Sequence, residues 1–290
     1  MAERVRVLVL GASGMLGTAM LHIFAQSEDH MAIGAVRSIS PRLATLASNA
    51  CLIAGLDAES SDSLARVFAE AQPDIVINAV GLIKQLAGGN AVTSAIPINT
   101  LLPHRLQKLA EIANARLIHI STDCVFSGAK GNYRESDKAD AADVYGLSKY
   151  LGEVTTPNAI TLRTSIIGHE LMSANGLLEW FLAQKQGIKG FTKAIFSGLP
   201  TVELARVVRD FVLPRPELTG LYHVSVDPIA KYDLLRLVGA AYGHDIAVAP
   251  DASLVIDRSL NSDRFRAATG YTPPSWPELV KTMKSSRIES

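Results

Sequence analysis

The chain has 290 residues, and its formal net charge is zero because 28 Lys and Arg balance 28 Asp and Glu. Hydrophobic residues make up 48% of the sequence and charged residues 19%, which excludes a disordered chain and is enough for a large core. A neutral chain without a long basic run lacks the electrostatic signature of a nucleic-acid-binding protein or of a membrane-surface patch.

Neither a membrane partner nor a metal site is expected. Charges or glycines interrupt every apolar stretch before it reaches the length of about 20 residues that crosses a bilayer. Residues Met1 to Arg4 lead directly into a strand-like segment, without the apolar stretch of an export signal. The two cysteines, Cys51 and Cys124, lie far apart and have no metal-ligand spacing around them. We therefore expect a cytoplasmic protein without a disulfide.

The first half of the chain alternates between strand and helix patterns. Strands are predicted at residues 4–10, 32–36, 51–53, 74–79, 116–120 and 159–163, and helices at 15–26, from 41 onward, at 61–71 and at 103–114. This alternation predicts an α/β fold, a Rossmann-type doubly wound parallel sheet with right-handed crossovers. Ligands of such sheets bind at the carboxyl ends of the strands, so residues at those ends are the first candidates for a functional site.

The regular alternation stops near residue 165. We therefore predict a Rossmann domain over residues 1–165 and a smaller α/β region over residues 166–290 that mainly binds substrate. The second region is predicted to contain a helix with Trp180 and Phe181, irregular segments rich in Gly and Lys, helices from 201 and over 231–242, and a tail of loops and short helices. A later strand near 221–226 is predicted to return to the first domain.

A glycine-rich turn separates the first strand from the first helix. Gly11, Gly14 and Gly17 fit the pattern G-x-x-G-x-x-G. The first glycine permits a tight turn, the second lets backbone N–H groups approach a pyrophosphate, and the third allows the helix to pack closely on the sheet. The string alone is a weak signal, but its position directly after the first strand predicts a dinucleotide site rather than a turn that only packs. The glycine turn is not followed by the Lys and Ser or Thr of a Walker-type ATP site.

The end of the second strand indicates which dinucleotide binds. An acidic residue there would accept hydrogen bonds from the adenosine ribose and repel a 2′-phosphate, but this strand ends at Arg37, with Arg42 close behind. A guanidinium group can pair with a 2′-phosphate through two hydrogen bonds. We therefore predict NADPH rather than NADH, the alternative being a solvated surface arginine.

Tyr145 and Lys149 form the only Y-x-x-x-K sequence of the chain, at the predicted start of a helix over residues 145–153. Residues four apart share a helix face, so the ammonium group is expected to lower the pKa of the phenol toward working pH. The phenol can then protonate a carbonyl oxygen as hydride reaches its carbon, and the lysine can also bind the nicotinamide ribose. At the end of the fifth strand, Ser121 and Thr122 offer a hydroxyl for the same carbonyl, the alternative being a pair that caps a loop.

Four motifs occur in a fixed order: GASGMLG from residue 11, STDCVFSG from 121, YGLSKYLGE from 145 and LRTSIIG from 162. In this order the chain resembles the extended short-chain dehydrogenase/reductase superfamily and, within it, the dTDP-4-dehydrorhamnose reductase group. The resemblance covers nearly the whole chain and is strongest over residues 5–170. It implies that Tyr145 is the proton donor, that Lys149 tunes it and binds ribose, and that Thr122 is the hydroxyl partner.

The resemblance also implies a set of cofactor-binding residues. These are Gly11, Ser13, Gly14, Met15, Leu16, Gly17, Arg37, Asp57, Asn78, Ala79, Val80, Gly81, Asn99, Ser121, Tyr145 and Lys149. Asp57 is similar to an adenine-contacting acid of the family, and Asn78 to Gly81 are similar to the segment beside the cofactor ribose.

The candidates on the substrate side are Lys84, Cys124, Phe126, Arg258 and Trp276. Two departures from the reductase pattern occur among them and their neighbours. Cys124 stands where the reductases usually have a Tyr, and the stretch 82–89 differs, with Lys84 and Gln85 facing the expected mouth of the active site. For Arg258 and Trp276, a surface arginine and a packing tryptophan are the alternatives.

The resemblance implies an NADPH-dependent reductase of a 4-keto-6-deoxy sugar nucleotide, an enzyme of deoxysugar and polysaccharide biosynthesis, with a homodimer compatible with it. One alternative is an epimerase or 4,6-dehydratase on the same fold, but a dehydratase normally has Glu at the position of Cys124. The other is a non-catalytic dinucleotide-binding subunit, as in the branch that modulates methionine adenosyltransferase. Retention of Tyr145 and Lys149 argues against a regulator.

Overall fold

The computed structural model describes residues 4–83, 91–171 and 174–287. Lys84 and Gln85, predicted to face the mouth of the active site, lie outside the described residues. Among the described residues, no helix is long and apolar enough to cross a membrane.

The strands and helices of the described residues follow one another in the predicted alternation over the first half of the chain. The strands are β1 (Val5–Leu10), β2 (His30–Ala35), β3 (Cys51–Ile53), β4 (Ile75–Asn78), β5 (Arg116–Thr122), β6 (Ala159–Thr164), β7 (Ile166–Ile167), β8 (Ile188–Phe196), β9 (Leu199–Pro200), β10 (Gly220–His223), β11 (Ile229–Ala230) and β12 (Val248–Asp257). The α-helices are α1 (Met15–Ala25), α2 (Pro41–Leu46), α3 (Ser61–Ala71), α4 (Val92–Ala95), α5 (Leu102–Ile112), α6 (Val144–Leu151), α7 (Leu177–Leu182), α8 (Thr201–Val207), α9 (Lys231–Tyr242), α10 (Asp263–Thr269) and α11 (Trp276–Ser285). Two π-helical segments, Ile96–Leu101 and Val208–Val212, lead into α5 and follow α8.

Seven strands form one sheet in the order β3-β2-β1-β4-β5-β6-β10, and every neighbouring pair is parallel. The predicted Rossmann-type doubly wound sheet is therefore confirmed. The strand order reverses direction between β1 and β4, which is the switch point where such sheets bind ligands. One apolar core contains side chains of α1, α8, α9 and α11, and a second contains those of α3 and α5. β1 is buried over its last four residues because both faces of this central strand are covered.

The second half is more regular than the sequence predicts. The irregular Gly- and Lys-rich segment is in fact the nine-residue β8, which pairs with β11 and the ten-residue β12 in a three-stranded sheet. Position 190 of this strand favours glycine because a Cβ there would press on the side chain of Val248 and on the backbone of Tyr232. The tail is also not mostly loop, since α11 has ten residues. Its Pro277 lies in the first turn, where proline is compatible with a helix.

The chain after β12 returns to the large sheet. The N–H of Asp257 donates to the carbonyl of Gly128 at 2.8 Å, and the N–H of Tyr133 donates to the carbonyl of Ser259 at 2.8 Å. Residues 257–261 therefore run beside residues 128–133, which follow the carboxyl end of β5. This pairing brings a segment distant in sequence to the edge of the sheet where ligands bind.

Candidate active site

The glycine turn at the end of β1 has the geometry that a bound pyrophosphate requires. Gly11 has a φ of +76°, which favours glycine, and its position directly faces Ala79 and Val80 at the end of β4. Gly17 lies against the carbonyl of Gly11, so any Cβ there would collide with the turn and push α1 away from the sheet. The Thr18 hydroxyl donates to the carbonyl of Ala12 at 3.0 Å and fixes the turn from the helix side.

The start of α1 leaves backbone donors for an anion. α1 begins at Met15, and its N-cap Gly14 makes no side-chain capping hydrogen bond. The first turn of a helix carries N–H groups without intrahelical acceptors and the positive end of the helix dipole. Ser13, Met15 and Leu16 lie at this turn, so the predicted residues fit a dinucleotide pyrophosphate.

The side chain of Asn78 forms hydrogen bonds within the protein at the end of β4. Its side chain is buried, and its Oδ1 accepts from the N–H of Val80 at 3.1 Å while its Nδ2 lies 3.1 Å from Nδ1 of His119. The amide therefore holds Ala79 to Gly81 beside the glycine turn. A contribution of this segment to a cofactor site would come from the backbone that Asn78 fixes.

Arg37 and Asp57 lie near each other at the opposite end of the expected cofactor path. Both are exposed, and the two segments run side by side because the N–H of Gly55 donates to the carbonyl of Arg37 at 3.0 Å. The Asp57 carboxylate accepts from the N–H of Glu59 at 3.0 Å. Arg42 is directed elsewhere, since its guanidinium donates to the carbonyl of Leu171 at 3.0 Å.

Thr122, Tyr145 and Lys149 meet at the carboxyl end of β5. The side chains of Tyr145 and Thr122 are hydrogen-bonded to each other. The Lys149 ammonium is buried and donates to the carbonyl of Ile120 at 2.8 Å. The N-cap Asp143 accepts from the N–H of Gly146 at 2.8 Å and starts α6 at the residue before Tyr145, which places both side chains of the motif on the sheet side.

Two glycines allow α6 to approach this edge so closely. A Cβ on Gly146 would collide with the carbonyl of Cys124, and a Cβ on Gly152 would collide with the carbonyl of Asn99. Both glycines stand in the YGLSKYLGE motif, but their spacing does not indicate which neighbours they contact. The sequence analysis therefore missed their role in positioning Tyr145 and Lys149.

The pKa of Tyr145 departs from the expectation. Burial raises it well above its ordinary value, and the neighbouring Cys124 and Asp123 raise it further. The hydrogen bond with Thr122, whose hydroxyl donates to Oδ1 of Asp123 at 3.2 Å, lowers it. The prediction that Lys149 lowers the pKa of Tyr145 is therefore wrong. Burial also lowers the pKa of Lys149 to about 8, against an opposing effect of Glu153. The phenol is thus a firmly protonated acid at neutral pH, and the ammonium is charged up to about pH 8.

Asn99 joins the two sides of the site. It lies in the π-helical segment before α5 and is buried. Its Oδ1 accepts from the N–H of Leu82 at 3.0 Å, and its Nδ2 donates to the Leu82 carbonyl at 3.2 Å and to the Ser148 hydroxyl at 3.1 Å. The side chain therefore ties the segment after β4 to α6, and the local π-helix gives it that orientation.

Ser121 points away from Thr122. Its hydroxyl donates to Oε1 of Glu153 at 2.8 Å, and it is buried on the opposite face of β5. The Ser121 hydroxyl proton is thus used inside the protein. The sequence analysis missed its partner Glu153, although this residue is the last letter of the YGLSKYLGE motif.

One family model matches almost the whole chain. The model of the RmlD substrate binding domain matches residues 5–285. The chain belongs to this family. The RmlD-family chain is 29% identical over 300 residues to the spore coat polysaccharide biosynthesis protein SpsK of Bacillus subtilis, covering 97% of this chain and 98% of that protein.

The same RmlD-family chain is 25% identical over 310 residues to the dTDP-4-dehydrorhamnose reductase of Aggregatibacter actinomycetemcomitans, covering 97% of this chain and 98% of that enzyme. Among solved structures, it is similar to the dTDP-4-dehydrorhamnose reductase of Bacillus anthracis in complex with NADP. The TM-score is 0.80 at 20% identity, covering 99% of this chain and 100% of the other. This likeness shows the shared fold.

The fold of this RmlD-family chain brings one distant arginine close to Thr122. Arg258 follows β12, and its Nε donates to the carbonyl of Phe126 at 2.7 Å while its Nη1 lies 3.8 Å from the Sγ of Cys124. Burial raises the pKa of Cys124 to about 12, so this side chain is a neutral thiol. Burial also raises the pKa of Asp123, and the positive charges of Arg258 and Lys231 oppose that effect. Cys124 and Arg258 are thus together beside Thr122.

Two predicted substrate residues are in the wrong place for that role. Phe126 is fully buried, and its ring stacks on Tyr133 with a centroid distance of 4.1 Å. Trp276 is also buried, packs against Phe196, and donates its indole N–H to the carbonyl of Asp227 at 2.7 Å. Both aromatic rings are therefore packing residues, and neither forms a wall for a nucleotide base. Within the described ranges, no cluster of His, Cys, Asp and Glu could hold a metal ion.

Proposed function

We propose that this RmlD-family protein is an NADPH-dependent reductase of a 4-keto-6-deoxy sugar nucleotide. The observation that carries the proposal is the meeting of Thr122, Tyr145 and Lys149 at the end of β5, on the same sheet edge as the glycine turn. The similarity to proteins named dTDP-4-dehydrorhamnose reductase supports this class of substrate.

NADPH is the proposed cofactor, and it would supply the hydride. The glycine turn and the start of α1 would hold its pyrophosphate, and Lys149 would bind its nicotinamide ribose. Arg37, exposed at the end of β2, would pair with its 2′-phosphate. A relative crystallised with NADP supports this choice.

Thr122, Tyr145 and Lys149 would supply the rest of the chemistry. Thr122 donates to the substrate carbonyl and orients it, and Tyr145 gives the proton to the oxygen as hydride reaches C4. Since burial raises the pKa of Tyr145, the phenol holds its proton until the carbonyl oxygen becomes basic. Lys149 stays charged up to about pH 8 and stabilises the phenolate that proton transfer leaves behind.

The substrate region is proposed to lie within residues 166–290, with Arg258 as its contribution to the catalytic end. A guanidinium group there suits the phosphates or the polar groups of a nucleotide diphosphate sugar. The place of Cys124 beside it argues against a dehydratase, because a thiol with a pKa of about 12 cannot replace the missing carboxylic acid in eliminating water.

The test is the oxidation of added NADPH in the presence of dTDP-, UDP- and GDP-4-keto-6-deoxy sugars, followed at the nicotinamide absorbance. A reductase consumes one NADPH for each sugar converted. An epimerase or dehydratase converts its sugar without net consumption, and a regulatory subunit binds NADPH and converts none of them. Either of the last two outcomes overturns the proposal.

A further inference from the structure

Glu153, just beyond α6, carries a buried carboxylate with no role in the proton transfer proposed above. Its Oε1 accepts from the Ser121 hydroxyl at 2.8 Å and from Nε of Arg163 at 2.7 Å, and its Oε2 accepts from Nη2 of Arg163 at 2.7 Å. The side chains of Arg163 and Glu153 are only 3% and 7% exposed. A pair that is both buried and doubly hydrogen-bonded holds its two charges in one geometry.

Arg163 is itself fixed by uncharged groups. Its guanidinium lies 5.1 Å from the centre of the Phe126 ring, and its Nη1 is 3.3 Å from Nε2 of His223. Burial and Arg163 lower the pKa of His223 to about 4, so this imidazole is neutral at physiological pH. It then donates from Nδ1 to the carbonyl of Tyr133, 3.0 Å away, and accepts from Arg163. The position of Glu153 is therefore set by Arg163, which Phe126 and the neutral His223 hold in place.

Lys149 and Glu153 reach consecutive residues of β5: the Lys149 ammonium donates to the carbonyl of Ile120 at 2.8 Å, and the Glu153 carboxylate accepts from the Ser121 hydroxyl at 2.8 Å. The two opposite charges therefore lie close together at the end of this strand. Burial lowers the pKa of Lys149, and Glu153 opposes that effect. Among the described residues, two titratable groups beside the ammonium are neutral: His119 on β5, whose pKa burial lowers far below its usual value, and Tyr145 on α6. Asp123, whose pKa burial raises, lies on the Tyr145 side of the cluster. On the side of β4 and the π-helical segment, the nearby groups are Gly81 and the neutral Asn99.

We propose that Glu153 is a positioning residue for Lys149, whose fixed negative charge keeps the buried ammonium group protonated when it meets the cofactor ribose. Arg163 and Ser121 hold the carboxylate in the orientation that does this. The inference rests on the proposed function, because it takes the ribose as the partner of Lys149. Its test therefore includes a measurement that needs neither cofactor nor sugar.

That measurement is an NMR titration of the protein labelled with ¹³C at the lysine Cε, with the Lys149 signal assigned from its loss in Lys149→Met. In the natural protein the midpoint is expected at about pH 8. Glu153→Gln should lower the midpoint by about one pH unit, a tenfold loss of proton affinity, because the opposing charge is removed. Glu153→Asp keeps the negative charge, so its Lys149 midpoint should stay close to that of the natural protein.

Because Glu153→Gln leaves Arg163 buried without a partner, the variant can lose its fold for a purely structural reason. The double variant Glu153→Gln/Arg163→Gln removes both charges and keeps the test possible if the single variant does not fold. Glu111→Gln is the matched control, since Glu111 is an exposed glutamate paired with Lys108 far from the site. An unchanged Lys149 midpoint in folded Glu153→Gln overturns the proposal, as does a double variant whose midpoint equals that of Arg163→Gln alone.

A second measurement is the Kd of NADPH as a function of pH, from the fluorescence of the bound nicotinamide. Binding needs the ammonium form, so affinity should fall as the pH rises through about 8 in the natural protein and at lower pH in Glu153→Gln. If the natural protein binds no NADPH, the proposed function fails while the NMR result still decides the role of Glu153. If NADPH binds with the same pH dependence in both proteins, the proposal for Glu153 fails and the proposed function stands.

Discussion

The two halves of the chain supply the site in different ways. In residues 4–164, the candidate groups lie at the ends of parallel strands or on the helical segments that follow β4 and β5, so order along the chain places them at the same edge of the sheet. In residues 174–287, the side chain that reaches the site, Arg258, arrives through the pairing of residues 257–261 with residues 128–133. Under the proposed function, the first half would therefore provide cofactor binding and proton transfer, and the second would provide recognition of the substrate.

The largest expected effect lies in the first half. Tyr145→Phe should lower the turnover by about 100-fold or more, because the proton donor is lost, and should leave the Kd of NADPH nearly unchanged. Since burial raises the pKa of Tyr145, the loss should be the same across neutral pH. Tyr150→Phe is the control, on the same helix but 45% exposed. Near-normal turnover of Tyr145→Phe would remove it as the acid.

A smaller effect is expected from the second half. Arg258→Ala should raise the KM for the sugar nucleotide by about 10- to 100-fold, because a charge-assisted contact is lost, without changing the Kd of NADPH. Steady-state kinetics with saturating NADPH measure the first quantity, and fluorescence titration measures the second. Arg236→Ala, on the exposed face of α9, is the matched control. A weaker affinity for NADPH in Arg258→Ala would break the division between the halves.

Arg37→Asp is the reciprocal change in the first half. It should raise the Kd of NADPH by about tenfold and shift the preference toward NADH, while the KM for the sugar stays the same. Direct titration with both dinucleotides checks this. Arg42→Ala should change neither value, because the guanidinium of Arg42 is bound to the carbonyl of Leu171. A natural protein that prefers NADH would contradict the role given to Arg37.

The smallest effect should come from Trp276→Phe. The indole hydrogen bond to Asp227 is lost, so the free energy of unfolding should fall by about 1 kcal/mol. The KM for the sugar nucleotide should not move, because the ring is buried against Phe196. Urea denaturation and steady-state kinetics measure the two quantities. A raised KM with unchanged stability would contradict the packing role and indicate that Trp276 contacts the substrate.

The sequence predicted those features that depend on residues close together in the chain. The sheet, the glycine turn and the meeting of Tyr145, Lys149 and Thr122 depend on short spacings and on strand ends, which a linear pattern records. The role of Asn99 depends on a π-helical segment that no pattern indicated.

The errors have the same origin. Phe126 packs against His223, and Trp276 packs against Phe196. Both partners lie far along the chain, so the sequence neighbourhood of these rings carries no sign of their burial. The same holds for β8, whose Gly and Lys residues suggested irregular structure until its pairing with β12 was known. The pKa of Tyr145 was predicted from one neighbouring charge, whereas burial is the larger influence.

The pairing of residues 257–261 with residues 128–133 also has a consequence for the order of folding. Contacts between segments so far apart in sequence close a large loop, and such loops form late. A growing chain can complete β1 to β6, the glycine turn and the Tyr145–Lys149 pair before residue 257 leaves the ribosome. Under the proposed function, the site for the sugar nucleotide would therefore be completed later in synthesis than the site for the dinucleotide.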